Sequence, residues 1–307
     1  MKRKKIFLIS ASALVLLAVA VAAGSKQYQY LKQAKAAREV LNKRKASWLE
    51  FREELKKEVA RYKGEAGIVV KDLRTGWKIS FNEDRLFPSA SLVKIPIMAA
   101  CFQAAADGKI KLDQKITLRK LSKVSGSGIL KNMPAGRKIT VSRLIELMIT
   151  QSDNTAANML IDLLGFDYLN RYFRGLGLEK TNLSRKMMDF RYRRKGIENY
   201  TTPDDMAYIL EAIYKRRLLG NEASRQCLDL LERQKYNDRI PARLPAGTVV
   251  AHKTGLERHT CHDVGIIFTE KGDLLISVLT KHPATSRLSK TFISRVALYA
   301  YNYYQRL

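Results

Sequence analysis

Apolar positions change their spacing along the chain, and each change marks an element. An uncharged run, IFLISASALVLLAVAVAA from Ile6 to Ala23, comes first and is just long enough to cross a bilayer as a helix. From Ser25 to Lys63 the residues are mostly charged or polar and free of proline, and Trp48, Phe51, Leu55, Val59 and Tyr62 recur three or four apart. That spacing predicts one stripe of an amphipathic helix over Ala46–Lys63, preceded by a solvated helical spacer over Gln27–Lys45. AGIVVKD and WKISF bracket Arg74, Thr75 and Gly76 and predict a hairpin. Strand-like runs return near the C-terminus as TVVAHKTG, DVGIIFTE and DLLISVLT. Between the two strand groups, from about Leu92 to Arg233, the pattern is helical, with Gly108, Gly165 and Gly220 placed as helix stops. FISRVALYAYNYYQRL closes the chain as another amphipathic helix. The expected fold class is therefore α+β in layers: a sheet built from both ends of the chain, with a helical insertion between its strands.

Composition changes this picture mainly through charge. Fifty-six Lys and Arg against twenty-nine Asp and Glu give a formal charge of +27, spread over the whole chain. Such an excess fits a nucleic acid, an anionic membrane or an anionic cell-envelope polymer. No zinc-finger spacing, RNA-binding signature or aromatic-interleaved basic strand supports nucleic acid, so none is expected as a partner. Lys2, Arg3, Lys4 and Lys5 precede the apolar run, which places the N-terminus in the cytoplasm and the rest of the chain outside. Residues 1–24 are read as an export segment or membrane anchor, 25–45 as a basic helical spacer and 46–307 as the folded domain. Cys101, Cys227 and Cys261 are too few and too scattered for a disulfide framework and have no metal-ligand spacing, so buried free thiols are expected.

Three short motifs carry candidate chemistry. Ser91-Leu92-Val93-Lys94 opens a helical run, where residues three apart share a face, so the Lys94 amine can reach the Ser91 hydroxyl. A serine needs such a base to become a nucleophile. In isolation Ser91 could equally be a helix cap and Lys94 a solvated residue. Ser152-Asp153-Asn154 falls between two helical segments and could be an ordinary turn with Asp153 capping the next helix. Lys253-Thr254-Gly255 lies on a predicted strand followed by a break, where it could be an edge lysine beside a turn glycine.

The order of the three motifs, together with FPSASLVKIP, SDNTAAN and the GIIF after the third, resembles the class A β-lactamases and penicillin-binding proteins over roughly Leu49–Leu307. The resemblance implies an antiparallel five-stranded sheet flanked by terminal helices plus a helical subdomain, and an exported serine hydrolase of the bacterial cell envelope that needs no cofactor or metal. Ser91 would be the acylated nucleophile and Lys94 its base or proton relay. Ser152 would pass a proton to the leaving nitrogen and Asn154 would hold the substrate's side-chain amide. Lys253 and Thr254 would bind its carboxylate, and the backbone N–H groups of Ser91 and Leu256, just after Gly255, would form the oxyanion hole. Loss of one such donor typically costs about 3 kcal/mol. His252, His259, His262 and His282 lie without a G-x-S-x-G elbow, which argues against a Ser-His-Asp triad.

Deacylation is the second half of such a reaction, and the family keeps the carboxylate for it in a loop corresponding to Leu183–Pro203. Here that loop carries six Lys/Arg and no periodicity. Leu183, Arg185 and Thr201-Thr202-Pro203 match the family's edges, yet Met187 stands at the glutamate position, Arg191 at the following asparagine, and Asn199 where an acidic partner for Arg185 would be. Asp189 is the carboxylate near enough to substitute as base, unless it pairs with Arg185 or Arg191. Three functions follow: β-lactam opening through a Ser91 acyl-enzyme, a D-alanyl-D-alanine carboxypeptidase or esterase using the same acylation machinery, or a non-catalytic envelope-binding module.

Overall fold

The computed structural model describes residues 11–306. They divide into two compact units, one comprising the residues up to Glu50 with Arg306, the other Phe51–Gln305. The first five residues of the Ile6–Ala23 run lie outside the described residues, and among the described residues no helix is long and apolar enough to cross a membrane. Helix α1 runs unbroken over Ala11–Arg61. No helix boundary separates the spacer from the amphipathic segment, because nothing after Gly24 interrupts the backbone ladder before Gly64.

The second unit is an antiparallel sheet between two helical layers. Strands β1 (Glu65–Asp72) and β2 (Lys78–Phe81) form the predicted hairpin. The two residues Phe87–Pro88 form β3, and α2 spans Lys94–Ala106. A small ribbon, β4 (Lys115–Thr117) and β5 (Lys138–Thr140), precedes α3 (Val141–Thr150), α4 (Asn154–Leu164) and α5 (Phe166–Gly175). Then come α6 (Phe190–Arg194), β6 (Tyr200–Thr201), α7 (Pro203–Tyr214) and α8 (Gly220–Glu232). Strands β7 (Val250–Glu257), β8 (Thr260–Ile267) and β9 (Leu274–Lys281) and helix α9 (Ser286–Gln305) complete the unit. The sheet order is β2-β1-β9-β8-β7, so the two chain ends meet at β1 and β9 and the strand bearing Lys253 is an edge.

Three sequence expectations need correction. Gly220 does not stop a helix: its φ of 72° opens α8, a left-handed step that glycine takes without steric cost. The strand bearing Lys253-Thr254-Gly255 does not break after the motif, but stays paired with β8 as far as Glu257 opposite Thr260. The basic loop is not structureless either. It contains the single turn α6, and β6 pairs with β3 immediately before the Ser91 turn.

Packing explains why the parts hold this order. Phe51 and Leu55 at the end of α1 are fully buried, and Phe51 stacks 6.3 Å from Tyr303 of α9 while Tyr62 lies 4.3 Å from Phe292. These rings cover one face of the sheet. On the opposite side α2 is buried on all faces from Lys94 to Phe102, the pattern of a helix at the centre of a subdomain. A fully buried helix admits a lysine only when its amine is well hydrogen-bonded, which makes Lys94 the informative residue on it.

Candidate active site

Ser91 sits in a 3-10 turn over Ala90–Val93 that leads directly into α2, rather than in the first turn of the α-helix. Ala90 before it has φ 45°, a conformation that a non-glycine residue rarely adopts and that aims the turn into a cavity. The backbone leading in is held on two sides: Ser89 N donates to Asn199 O at 2.7 Å, and His262 Nε2 donates to Pro88 O at 2.8 Å. Because Thr280 N donates to His262 Nδ1 at 3.0 Å, the ring has a proton on Nε2 alone, and burial pushes its pKa down to about 4.

Two motif segments meet at the Lys94 amine, and the third joins them through Ser152 Oγ. Lys94 Nζ lies 3.1 Å from Ser91 Oγ, 3.2 Å from Ser152 Oγ, 2.7 Å from Ser152 O and 2.7 Å from Asn154 Oδ1. Ser152 reaches this position with φ 52°, and Asp153 supports it by capping α4 at Ala156 N, 2.9 Å, while its other oxygen accepts from Ile129 N and Leu130 N. Capping is thus the role of Asp153, while its neighbours Ser152 and Asn154 meet the lysine. On the other side Lys253 Nζ, from the edge strand, donates to Ser152 Oγ at 3.0 Å and to Thr254 O at 2.9 Å.

Burial sets the electrostatics. Lys94 has its pKa lowered to about 7 by desolvation, against the opposing pull of the Asp153 and Glu257 charges. Lys253 is also driven well below the usual range by desolvation, then by the charges of Lys94 and Arg239, with Asp263 acting against them. Both amines donate to the one Ser152 hydroxyl oxygen, and burial disfavours the charged form of each.

The cavity in front of Ser91 has a volume of about 200 Å³. Asn154, Met187, Phe190, Leu256 and Glu257 line it together with Ser91. Ser91 and Leu256, the two residues whose N–H groups would form an oxyanion hole, thus face the same space. Gly255 lets the edge strand approach: a Cβ there would stand 3.1 Å from the His262 ring and 3.3 Å from Leu92. Ser91, Lys94, Ser152, Asn154 and Lys253 form one hydrogen-bonded cluster, and Thr254, Gly255 and Leu256 follow on the strand beside it.

Asp189 is placed elsewhere. Its Oδ1 accepts from Tyr192 N at 3.2 Å as the cap of α6, and it faces an adjoining cavity on the far side of Met187 and Met188. It pairs with neither Arg185 nor Arg191, since the cap position directs it to the helix backbone. Met187 occupies the expected glutamate position, buried, with its N–H and C=O bound by Asn158 Oδ1 and Nδ2 at 2.8 and 3.1 Å. The acidic partners of Arg185 are Glu198 at 2.7 Å and Glu257 at 3.1 Å, and Arg193 binds the same two carboxylates. Asn199 instead accepts from the backbone of Ser184 and Arg185.

Two site features escaped the sequence reading. One is Glu257, two residues beyond Gly255, which becomes visible once the strand is carried past the motif. The other is Ser125-Gly126-Ser127-Gly128, whose backbone covers the Ser152–Asn154 turn: Asn154 N donates to Ser127 O and Asn154 Nδ2 to Ser125 O. Gly128 has φ 105°, and a Cβ there would fall 2.2 Å from Asp153 Cγ. The alternation of Ser and Gly was the available signal.

A half-buried serine paired with a buried lysine, joined to a second serine and a strand lysine, defines the class: an active-site serine acyl-transfer enzyme. The beta-lactamase enzyme family matches residues 50–304, and the chain belongs to that family. It is 28% identical to the beta-lactamase VEB-1 of Pseudomonas aeruginosa over 245 residues, covering 74% of this chain and 81% of that one. Among solved structures it is similar to a beta-lactamase from Sphaerobacter thermophilus, with 34% identity and a TM-score of 0.77 over 82% of this chain and 97% of that one. It is also similar to PBP-A, with 29% identity and a TM-score of 0.78 over 84% of this chain and 97% of that one; a PBP-A mutant is known as an acyl-enzyme complex with penicillin G.

Proposed function

We propose that the chain opens β-lactam rings through an acyl-enzyme on Ser91 and that water releases the product slowly. The carrying observation is the Lys94 amine, 3.1 Å from Ser91 Oγ with a pKa near 7. About half of it is neutral at pH 7 and able to take the Ser91 proton, the match of pKa to working pH that general-base catalysis needs. Ser91 Oγ then bonds to the lactam carbonyl carbon, with the oxyanion facing the N–H groups of Ser91 and Leu256. As the C–N bond breaks, Ser152 gives its proton to the departing nitrogen and is resupplied from Lys94 or Lys253, at 3.2 and 3.0 Å. A substrate carboxylate beside Lys253 and Thr254 would restore the charge that burial suppresses on Lys253. Asn154 Nδ2, bound to Ser125 O in the free site, is the donor available to a substrate amide.

Slow release rests on the deacylation side. Among the described residues that line the cavity, the carboxylate is Glu257, and it is held by Arg185 and Arg193. A carboxylate pinned by two guanidiniums is a weak base. Met187 offers none. The penicillin-binding reading, in which the natural acyl donor is a D-alanyl-D-alanine peptide, draws on the same residue. The N-terminal apolar run, with its basic leader, is read as carrying the hydrolase outside the cytoplasmic membrane and holding it in the bacterial envelope.

Intact mass of the full chain after brief exposure to penicillin, followed over time, tests this. A covalent adduct should form within minutes, be absent in Ser91→Ala and persist for hours. No adduct would refute acylation; an adduct that clears as fast as it forms would refute slow release.

A further inference from the structure

Strand β7 bears Lys253 and Thr254, the donors for a substrate carboxylate, yet as an edge it is paired to β8 on one side alone. Beside those donors lies a buried pair of titratable groups that takes no part in the acylation chemistry. Side chains alternate along a strand, so His252 shares a face with Thr254 while Lys253 points the other way, to Ser152. His252 Nδ1 donates to Asp263 Oδ1 of β8 at 2.9 Å, and Asp263 stands directly opposite Thr254 in the register. Asp263 Oδ2 accepts from Ile240 N at 3.0 Å, and His252 Nε2 lies 3.0 Å from Asn237 Oδ1. Both side chains of the pair are buried, the carboxylate completely. Gly265, opposite His252, makes the room, since a Cβ there would stand 2.5 Å from His252 Cβ. With both ring nitrogens engaged in this way, the imidazole carries no proton for Ser91 or Ser152.

We propose, building on the acyl-enzyme reading of Ser91, that His252 and Asp263 are positioning residues that hold Lys253 and Thr254 in place to receive the substrate carboxylate. The clamp crosses from the edge strand to its neighbour and on to the 3-10 turn Ile240–Arg243, which is fastened to α9 where Arg243 Nε donates to Ser294 Oγ at 3.2 Å. Hydrogen bonds to a buried carboxylate are charge-assisted, so they resist a shift of the strand more than neutral ones would. Charge acts in the same direction as geometry. Desolvation and the charges of Lys94 and Arg239 drive the Lys253 amine toward its neutral form, and the Asp263 carboxylate opposes them, favouring the cation that a substrate carboxylate needs.

Acylation rates of the full chain by benzylpenicillin and by its methyl ester, read by intact mass, test this, because the ester lacks the carboxylate that Lys253 and Thr254 would hold. Asp263→Asn keeps the shape and removes the charge, and His252→Leu removes the donor. In both, the rate ratio of acid to ester should fall about tenfold or more, the loss of one charge-assisted contact. His252→Asn places an amide N–H where Nδ1 now stands and should restore the ratio to within about threefold of the unmodified chain. Melting temperatures identify the variants that fold, and if His252→Leu does not, Asp263→Asn carries the test. Equal losses for acid and ester would reduce the pair to a structural role and overturn the proposal, as would an unchanged ratio in folded Asp263→Asn. A ratio in folded His252→Asn as low as in Asp263→Asn would overturn it too. No adduct from either compound on the unmodified chain would sink the acyl-enzyme reading and the proposal with it, whereas the other adverse results sink the proposal alone.

Discussion

Replacing Asn154 by Asp puts a negative charge where Lys94 now meets a neutral carbonyl. The contact is 2.7 Å long and Lys94 is completely buried, so the new charge acts at close range. With an effective dielectric constant of about 20, a pair at this distance attracts by about 6 kcal/mol, equivalent to more than 4 pKa units. Desolvation of the new carboxylate, and the loss of the Nδ2 bond to Ser125 O, return part of that, and we expect a rise of at least about 2 units. The neutral fraction of Lys94 at pH 7 would fall from about one half to about one hundredth. The second-order rate of Ser91 labelling by a fluorescent penicillin should drop about 50-fold at pH 7 and recover above pH 9, shifting the rate inflection upward. Measured from pH 5.5 to 10 on folded protein, an inflection unmoved by more than about half a unit would refute the assignment of Lys94 as the base.

Other expectations follow from the same geometry. Met187→Glu restores a carboxylate at the position that the family uses and should shorten the acyl-enzyme lifetime by about 10²–10⁴-fold, read by intact mass; an unchanged lifetime in a variant that still acylates would refute the deacylation argument. Lys94 has a folded pKa near 7, below the ordinary value of about 10.4, so the unfolded chain binds the extra proton and stability rises with pH across that interval. Between pH 7 and 9 the gain is about 2–3 kcal/mol, visible as a rising melting temperature whose slope Lys94→Met should reduce, the buried Lys253 contributing the remainder. Gly128→Ala adds a methyl group 2.2 Å from Asp153 Cγ at a φ of 105° and should cost at least about 2 kcal/mol and slow labelling, because the Ser152–Asn154 turn must move. A melting temperature within about 1 °C of the unmodified chain, with normal labelling, would show that the loop yields freely.

Much of this architecture was legible in the residue pattern, for physical reasons. The strands at the two chain ends alternate or run apolar because they pair with one another in a buried sheet, and Phe51 and Leu55 recur at helical spacing because one stripe meets α9. The three motifs were legible as short residue patterns in order along the chain; that Lys94 and Lys253 both reach Ser152 Oγ depends on segments far apart in sequence and needed the structure. What pattern reading missed was decided by tertiary pairing. Glu257 reads as an ordinary strand end, yet it forms an ion pair with Arg185, 72 residues earlier in the chain. Asp189 looked like the available base because proximity along the chain says nothing of direction, and the one-turn α6 aimed it at a backbone N–H. The Ser125–Gly128 segment shows only an alternation of Ser and Gly, which marks where backbone can come close without saying what it approaches.

The edge position of β7 bears on what the enzyme can recognise. The strand is bonded to β8 on one side, while Leu256 and Glu257 on it border the reacting space. A peptide acyl donor laid in extended form against that free margin would be held as an added strand, its main chain read by the protein's main chain before any side chain is consulted. Strand addition of this kind recognises backbone shape, which a rigid bicyclic amide and a peptide end can share. Such a margin would admit both kinds of donor to Ser91 and leave the residues around the mouth to tell them apart.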